Sequence, residues 1–95
     1  MKPNPSVEVS HNAKNHQFEA RIDGHKGELV YRLRDGKIYL MHTWVPEEIA
    51  GRGVATSLAL YALKYAKKEK METVIYCPFI KTFVARHPDW KEMEY

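Results

Sequence analysis

Met41-His42-Thr43-Trp44-Val45-Pro46-Glu47-Glu48-Ile49-Ala50-Gly51-Arg52-Gly53-Val54-Ala55-Thr56-Ser57-Leu58 decides how the rest of the chain is read. An apolar, strand-like run stops at a proline and passes through a short acidic connector. A glycine turn then opens the longest helical pattern in the chain. The first amides of a helix have no internal acceptor, so such a turn is a ready seat for a phosphate. Gly51 and Gly53 suit it because glycine accepts a positive φ and admits close backbone approach. Arg52 adds a mobile cation, Val54 and Ala55 carry the turn into the helix, and Thr56 and Ser57 bring hydroxyls to its first turn. Spacing alone leaves two readings of equal weight, a phosphate cradle and a plain helix start. A P-loop is absent, and the dinucleotide fingerprint fails at Thr56, where it needs a small third position.

Upstream of this stretch the pattern is that of strands. Apolar and polar residues alternate over Val7–His11, over Phe18–Ile22 and over Leu29–Arg34. Asp23-Gly24-His25-Lys26-Gly27 and Asp35-Gly36 read as the intervening hairpin connections. Ile38–Val45 is nearly continuously apolar, which predicts a central strand covered on both faces. Downstream, Val54, Leu58, Tyr61 and Tyr65 recur at helical spacing beside a stripe of alanines, so a helix runs from about Gly53 to Lys68. Tyr61 and Tyr65 are expected in the core. Thr73–Tyr76 reads as a fifth strand, and Cys77-Pro78 starts a second helix that stops before Pro88. The expected fold is α+β: an antiparallel meander of four strands, a long crossover helix, a fifth strand parallel to the fourth, and a short C-terminal helix. Ligands of such sheets bind at the strands' carboxyl ends, near the crossover helix N-terminus, which here means Val45 to Thr56.

Ninety-five residues suit a single domain, and residues 1–6 and 92–95 read as loose tails. An apolar fraction of 44% supports one core, and a net charge of +3 suits an anionic ligand without arguing for nucleic acid. One cysteine permits no internal disulfide, so a reducing compartment is the simpler assumption. No apolar run approaches membrane-spanning length and the first residues lack a signal-peptide core, so a cytoplasmic protein with no membrane association is expected. His11, His16, His25 and His87 show no metal-ligand spacing with Cys77, and no metal is expected.

The glycine turn resembles the acetyl-coenzyme A pyrophosphate loop of the GCN5-related N-acetyltransferases, whose pattern is Arg/Gln-x-x-Gly-x-Gly/Ala. Gly53-Val54-Ala55 matches its second half, and Ala50 departs from it where Arg or Gln is preferred. The chain is more closely similar to the small single-domain branch of that superfamily. It carries that branch's motifs as His42-Thr43-Trp44-Val45-Pro46, Gly51-Arg52-Gly53, Cys77-Pro78-Phe79 and Pro88-Asp89-Trp90. The resemblance, which spans roughly residues 7 to 91, implies acetyl-CoA or coenzyme A as the cofactor. The amides of residues 51 to 56 would hold the pyrophosphate, and the N–H near Val45 would bond the thioester carbonyl. The pantetheine arm would lie where strand four splays from strand five. Trp44, Val45, Gly51, Arg52, Gly53, Val54, Ala55 and Thr56 are the expected cofactor residues, although Trp44 also reads as a packing residue or as part of an acceptor pocket.

Acetyl transfer to an amine needs a base for the amine proton, donors for the oxyanion and an acid for the thiolate. His42 is the base candidate by side-chain type, with a structural histidine as the equal alternative. Alternation puts Thr43 on the opposite face from His42 and Trp44. Cys77 reads as a nucleophile, as an acid, or as a small buried packing residue. Glu47 and Glu48 read as a solvated connector. The superfamily often takes its acid from a tyrosine on the last helix, and this chain has Phe83 there. Three functions follow. An N-acetyltransferase acting on a small amine or lysine-like side chain, as a monomer, leads. A coenzyme A-binding module with little or no turnover is the alternative. A small basic nucleic-acid-binding domain lacks any recognition motif and is not expected.

Overall fold

A computed structural model describes residues 3–93 of the chain; Met1, Lys2, Glu94 and Tyr95 lie outside the described residues. Five strands form one sheet in sequence order: β1 (Glu8–Asn12), β2 (Gln17–Ile22), β3 (His25–Arg34), β4 (Lys37–Trp44) and β5 (Glu72–Ile75). The first four pair antiparallel, and β5 pairs parallel to β4. The crossover between β4 and β5 is α1 (Val54–Lys68), and α2 (Pro78–Arg86) follows β5. The expected α+β architecture and its parallel β4–β5 pair are therefore present.

Both helices share a core with one face of the sheet. Phe18, Leu29, Tyr31, Ile38 and Leu40 from the strands meet Leu58, Ala59, Ala62 and Ala66 from α1 and Ile80 and Phe83 from α2, all buried. The alanine stripe lets α1 lie close to the sheet. Tyr61 and Tyr65 pack half-buried on the core, edge-on to Phe18.

Three expectations are corrected. The connection between β2 and β3 is a two-residue turn, Asp23-Gly24, with both φ positive (51° and 77°), as a type I′ hairpin requires. His25 to Gly27, read from sequence as turn, belongs to β3. Gly27 is there for clearance: a Cβ would meet Val54 Cγ1 at 3.0 Å and the Trp44 carbonyl oxygen at 3.2 Å. Gly27→Ala should therefore overpack the joint between β4 and the start of α1 and cost about 1–3 kcal/mol, read as a drop in urea-unfolding stability. A variant as stable as the parent would mean that the joint yields freely.

β4 is covered on one face only. Ile38 and Leu40 point into the core, whereas His42 and Trp44 are exposed. A bulge explains both the error and the apolar run: Val30 pairs with His42 but Tyr31 pairs with Leu40, so Met41 is an extra residue in β4. The inward set is Ile38 and Leu40 before the bulge and Thr43 after it. The outward apolar residues Tyr39 and Met41 are half-buried with no helix over them.

The N-terminal segment is tied down at Asn4. The Asn4 backbone N–H donates to Ser57 Oγ at 3.1 Å, and Asn4 Nδ2 donates to the Arg52 carbonyl at 2.9 Å. At the other end Trp90–Glu92 forms a 3-10 turn, Trp90 and Met93 pack on the core, and Lys64 Nζ donates to the Met93 carbonyl.

Far from the glycine turn, His11 Nε2 lies 2.5 Å from the Tyr31 hydroxyl and its ring stacks on Phe18 at 4.6 Å. Burial, and secondarily the charge of His16, pushes the His11 pKa below its ordinary value of 6.5. Glu19 is driven the same way, to about 2, by hydrogen bonds from Asn12, Gln17 and Arg21 and by the Lys26 charge, against the opposing effect of burial. In both cases the unfolded chain binds more protons, so stability is full above the unfolded pKa and falls with falling pH. Urea-unfolding stability should start to decline below pH 6.5 as His11 is forced to charge. It should decline again from 4.5 toward 2 as Glu19 is protonated. His11→Gln should remove the first decline alone; an unchanged profile would detach it from His11.

Candidate functional site

The acidic connector after Pro46 is a single 3-10 turn, Glu47–Ile49, whose Ile49 is fully buried while Glu47 and Glu48 stay in water. Ile49 thus plugs the chain into the core just before the glycine turn and fixes where that turn begins. Gly51 and Gly53 both take positive φ, 77° and 78°. At Gly51 a Cβ would meet nothing within 4 Å, so this glycine serves the backbone angle and not clearance. Gly53 is the N-cap of α1, and Ser57 is the first helical amide to find a backbone acceptor, the Gly53 carbonyl at 3.0 Å. The amides between them are the ones a helix start leaves over, and α1 has no acidic residue in its first turn to compete for them.

These groups line a cleft of 710 Å³ bounded by Val45, Ile49, Ala50, Gly51, Arg52, Gly53, Val54, Ala55, Thr56 and Phe79. Seven of the eight residues expected to hold the cofactor are gathered there. The eighth, Trp44, is absent from the lining, and its side chain is 55% exposed. Ile49, Ala50 and Phe79 are additions. For Phe79 the signal was present, since it is the aromatic of Cys77-Pro78-Phe79.

Arg52 does not hang free. Its guanidinium pairs with Asp23 Oδ2 at 2.5 Å, and its carbonyl accepts from Asn4. Two segments distant in sequence, the N-terminal strap and the β2–β3 turn, therefore hold the glycine turn from outside. Neither partner has a sequence signature. An ion pair this exposed contributes little stability, so an incoming anion can compete with Asp23 for Arg52.

The β4–β5 ladder ends at Leu40 and Ile75, but β4 continues to Trp44. Past that point the Leu40 carbonyl accepts from both the Tyr76 and Cys77 amides, at 2.9 and 3.0 Å. This forked bond closes the apex of a wedge whose β4 wall runs from Met41 to Trp44. Cys77 sits at the apex, 2% exposed, with Sγ 3.3 Å from Thr43 Oγ1. His42 and Trp44 project from the opposite face, as alternation predicts, so the structure places Thr43 and not His42 beside Cys77. Among the described residues no group of His, Cys, Asp and Glu side chains could hold a metal, and no helix is long and apolar enough to cross a membrane.

The family model described as GCN5-related N-acetyl-transferase matches residues 17–93. Protein NATD1 of Xenopus tropicalis is 33% identical over 91 residues, which cover 93% of this chain and 84% of that protein. Protein NATD1 of Homo sapiens is 32% identical over 85 residues, covering 86% and 75%. Among solved structures, the NMR solution structure of a GCN5-like protein from Staphylococcus aureus superposes with a TM-score of 0.67 at 22% identity, over 94% of this chain and 88% of that one. At that identity the likeness speaks for the fold.

Proposed function

This chain belongs to the GCN5-related N-acetyltransferase family, and from that premise we propose that it binds acetyl-CoA in the 710 Å³ cleft and transfers the acetyl group to an amine. The observation that carries the reading is the convergence on one cleft of two positive-φ glycines, the leftover amides of α1 and a cation whose present partner is exchangeable. These groups fit a diphosphate, and the wedge beyond the cleft fits an extended arm. The cofactor supplies an acyl group activated as a thioester.

The chain's own residues have four tasks. The amides of residues 51 to 56 and Arg52 would bind the diphosphate. The N–H near Val45 would face the thioester carbonyl and stabilise developing negative charge. Cys77, held at the apex by its amide and by Thr43, would hand its Sγ proton to the departing sulfur. His42, in water on the far face, would take the proton that the attacking nitrogen loses. The proton balance then closes through solvent.

Titration with coenzyme A and acetyl-CoA, followed by detection of free thiol across an amine panel, tests this reading. Saturable binding of both, with thiol release on at least one amine, is expected. No binding of either would refute it. A binding module without turnover is the second reading, favoured by Phe83, which is fully buried on α2 where the family often carries a tyrosine. Tight binding with no thiol release would select it.

A further inference from the structure

The sheet face without helices carries a cleft of its own. It measures 520 Å³ and is lined by Arg32, Leu33, Arg34, Tyr39, Met41 and Tyr76. Tyr39 and Tyr76 form one wall, with rings 6.2 Å apart and 13° from parallel. Tyr76 and Leu33 are half in water, at 55% and 49% exposed, and give the cleft an accessible apolar lining. Two guanidiniums line the cleft and no carboxylate does. Arg34 stands 3.8 Å from Asp35 with both side chains at least 80% exposed, so that contact neutralises little. Arg32, opposite Tyr39 in the β3–β4 register, has no ion-pair or hydrogen-bond partner among the described residues.

Position links this cleft to the wedge. Tyr76 is covalently next to Cys77, and Met41 is next to His42, so one end of the cleft abuts the candidate transfer point. Arg32 and Tyr39 mark the other end. From Tyr39 to Thr43 is four residues, about 13 Å by strand rise. That is the reach from a lysine amine to the carboxylate of an adjacent acidic residue. β5 is the edge of the sheet, so an extended segment can approach from outside.

We infer that this cleft seats the acetyl acceptor, and that the acceptor is a peptidyl amine with an acidic residue beside it. A guanidinium recognises a carboxylate through two parallel hydrogen bonds. The stacked tyrosines suit the methylenes and backbone of a peptide. A polyamine, or a lysine flanked by basic residues, would instead bring like charge to Arg32 and Arg34. The inference rests on the acetyltransferase reading and adds the class of acceptor to it.

The test compares lysyl-glutamate amide with lysyl-glutamine amide, which differ by one carboxylate. With saturating acetyl-CoA, kcat/KM should favour the glutamate compound by about tenfold, the worth of one charge-assisted hydrogen bond. Arg32→Ala should erase the preference by raising KM for the glutamate compound, and Arg32→Lys should restore part of it. Equal values for the two compounds, or a preference that survives Arg32→Ala, would overturn the inference. The reading beneath it fails by a different sign: coenzyme A then leaves the amide NMR signals of residues 51 to 56 unmoved. Even so, titration with the two dipeptide amides alone decides the matter. Larger shifts at Tyr39 and Tyr76 with the glutamate compound uphold an acidic-peptide site, and no difference overturns it.

Discussion

Gly53→Asp should weaken coenzyme A binding by at least about a hundredfold, whereas Gly53→Asn should keep most of it. The two substitutions have almost the same shape, and they separate two effects that glycine combines. Gly53 sits at φ 78° and ψ 12°, the left-handed region. An ordinary L-residue there costs roughly 1–2 kcal/mol, while Asn and Asp tolerate it best among non-glycine residues. Both variants should therefore fold, with a small shared loss of thermal stability. They part at the ligand. A carboxylate at the N-cap occupies the positive end of α1 that the diphosphate is to use, and it repels that diphosphate. Like charges 4 Å apart cost about 4 kcal/mol at an effective dielectric of 20, and screening in an open cleft lowers this by about 1 kcal/mol. A remaining penalty of about 3 kcal/mol corresponds to a hundredfold or more in affinity. Calorimetric titration of parent, Asn and Asp proteins measures it, with thermal melts confirming the fold. If the Asp variant bound within tenfold of the Asn variant, the diphosphate would not sit at this turn.

Local physics made much of this fold legible. Alternation over Phe18–Ile22 and the Asp35-Gly36 pair each specify their structure within a few residues, and both glycine-containing hairpin turns show the positive φ their residues favour. The cleft was legible for the same reason, since Gly51 to Thr56 is one contiguous segment that lines it with its own backbone. Contacts between segments far apart in sequence were not legible. The partners of Arg52, Asp23 and Asn4, lie 29 and 48 residues away in stretches that read as turn and loose tail. Gly27 reads as a turn residue because a glycine's need for clearance depends on what packs over it, here Val54 and the Trp44 carbonyl. The Met41 bulge has no signature of its own. It made an apolar strand look covered on both faces, and so concealed the open face with its two tyrosines. Seven of the cleft's lining residues could be named from sequence because motif and backbone coincide there; Trp44 shares the motif but is absent from the lining and half exposed.

Cys77→Ala should lower kcat for acetyl transfer by about a hundredfold and leave coenzyme A affinity unchanged. The thiol is positioned from two sides. Its amide is bonded to the Leu40 carbonyl at 3.0 Å, and its Sγ touches the Thr43 hydroxyl at 3.3 Å, in a pocket that leaves 2% of the residue exposed. A free cysteine buried only for packing needs no polar partner, and its loss would cost stability without touching the rate. A thiol that releases its proton to the departing sulfur, by contrast, contributes only in the transition state. Its removal should then lower kcat and kcat/KM together while binding stays as it was. Cys77→Ser keeps the size and a proton but donates from a much weaker acid, so it should rescue little. Thr43→Val removes the hydroxyl that orients Sγ and should cost about tenfold, without adding to the loss in a Cys77→Ala background. Intact mass measured under turnover distinguishes a covalent route, because an acetylated Cys77 would accumulate when the amine is withheld. Activity within threefold of the parent in Cys77→Ala would eliminate both chemical roles and leave the Thr43 contact as a packing detail of the wedge.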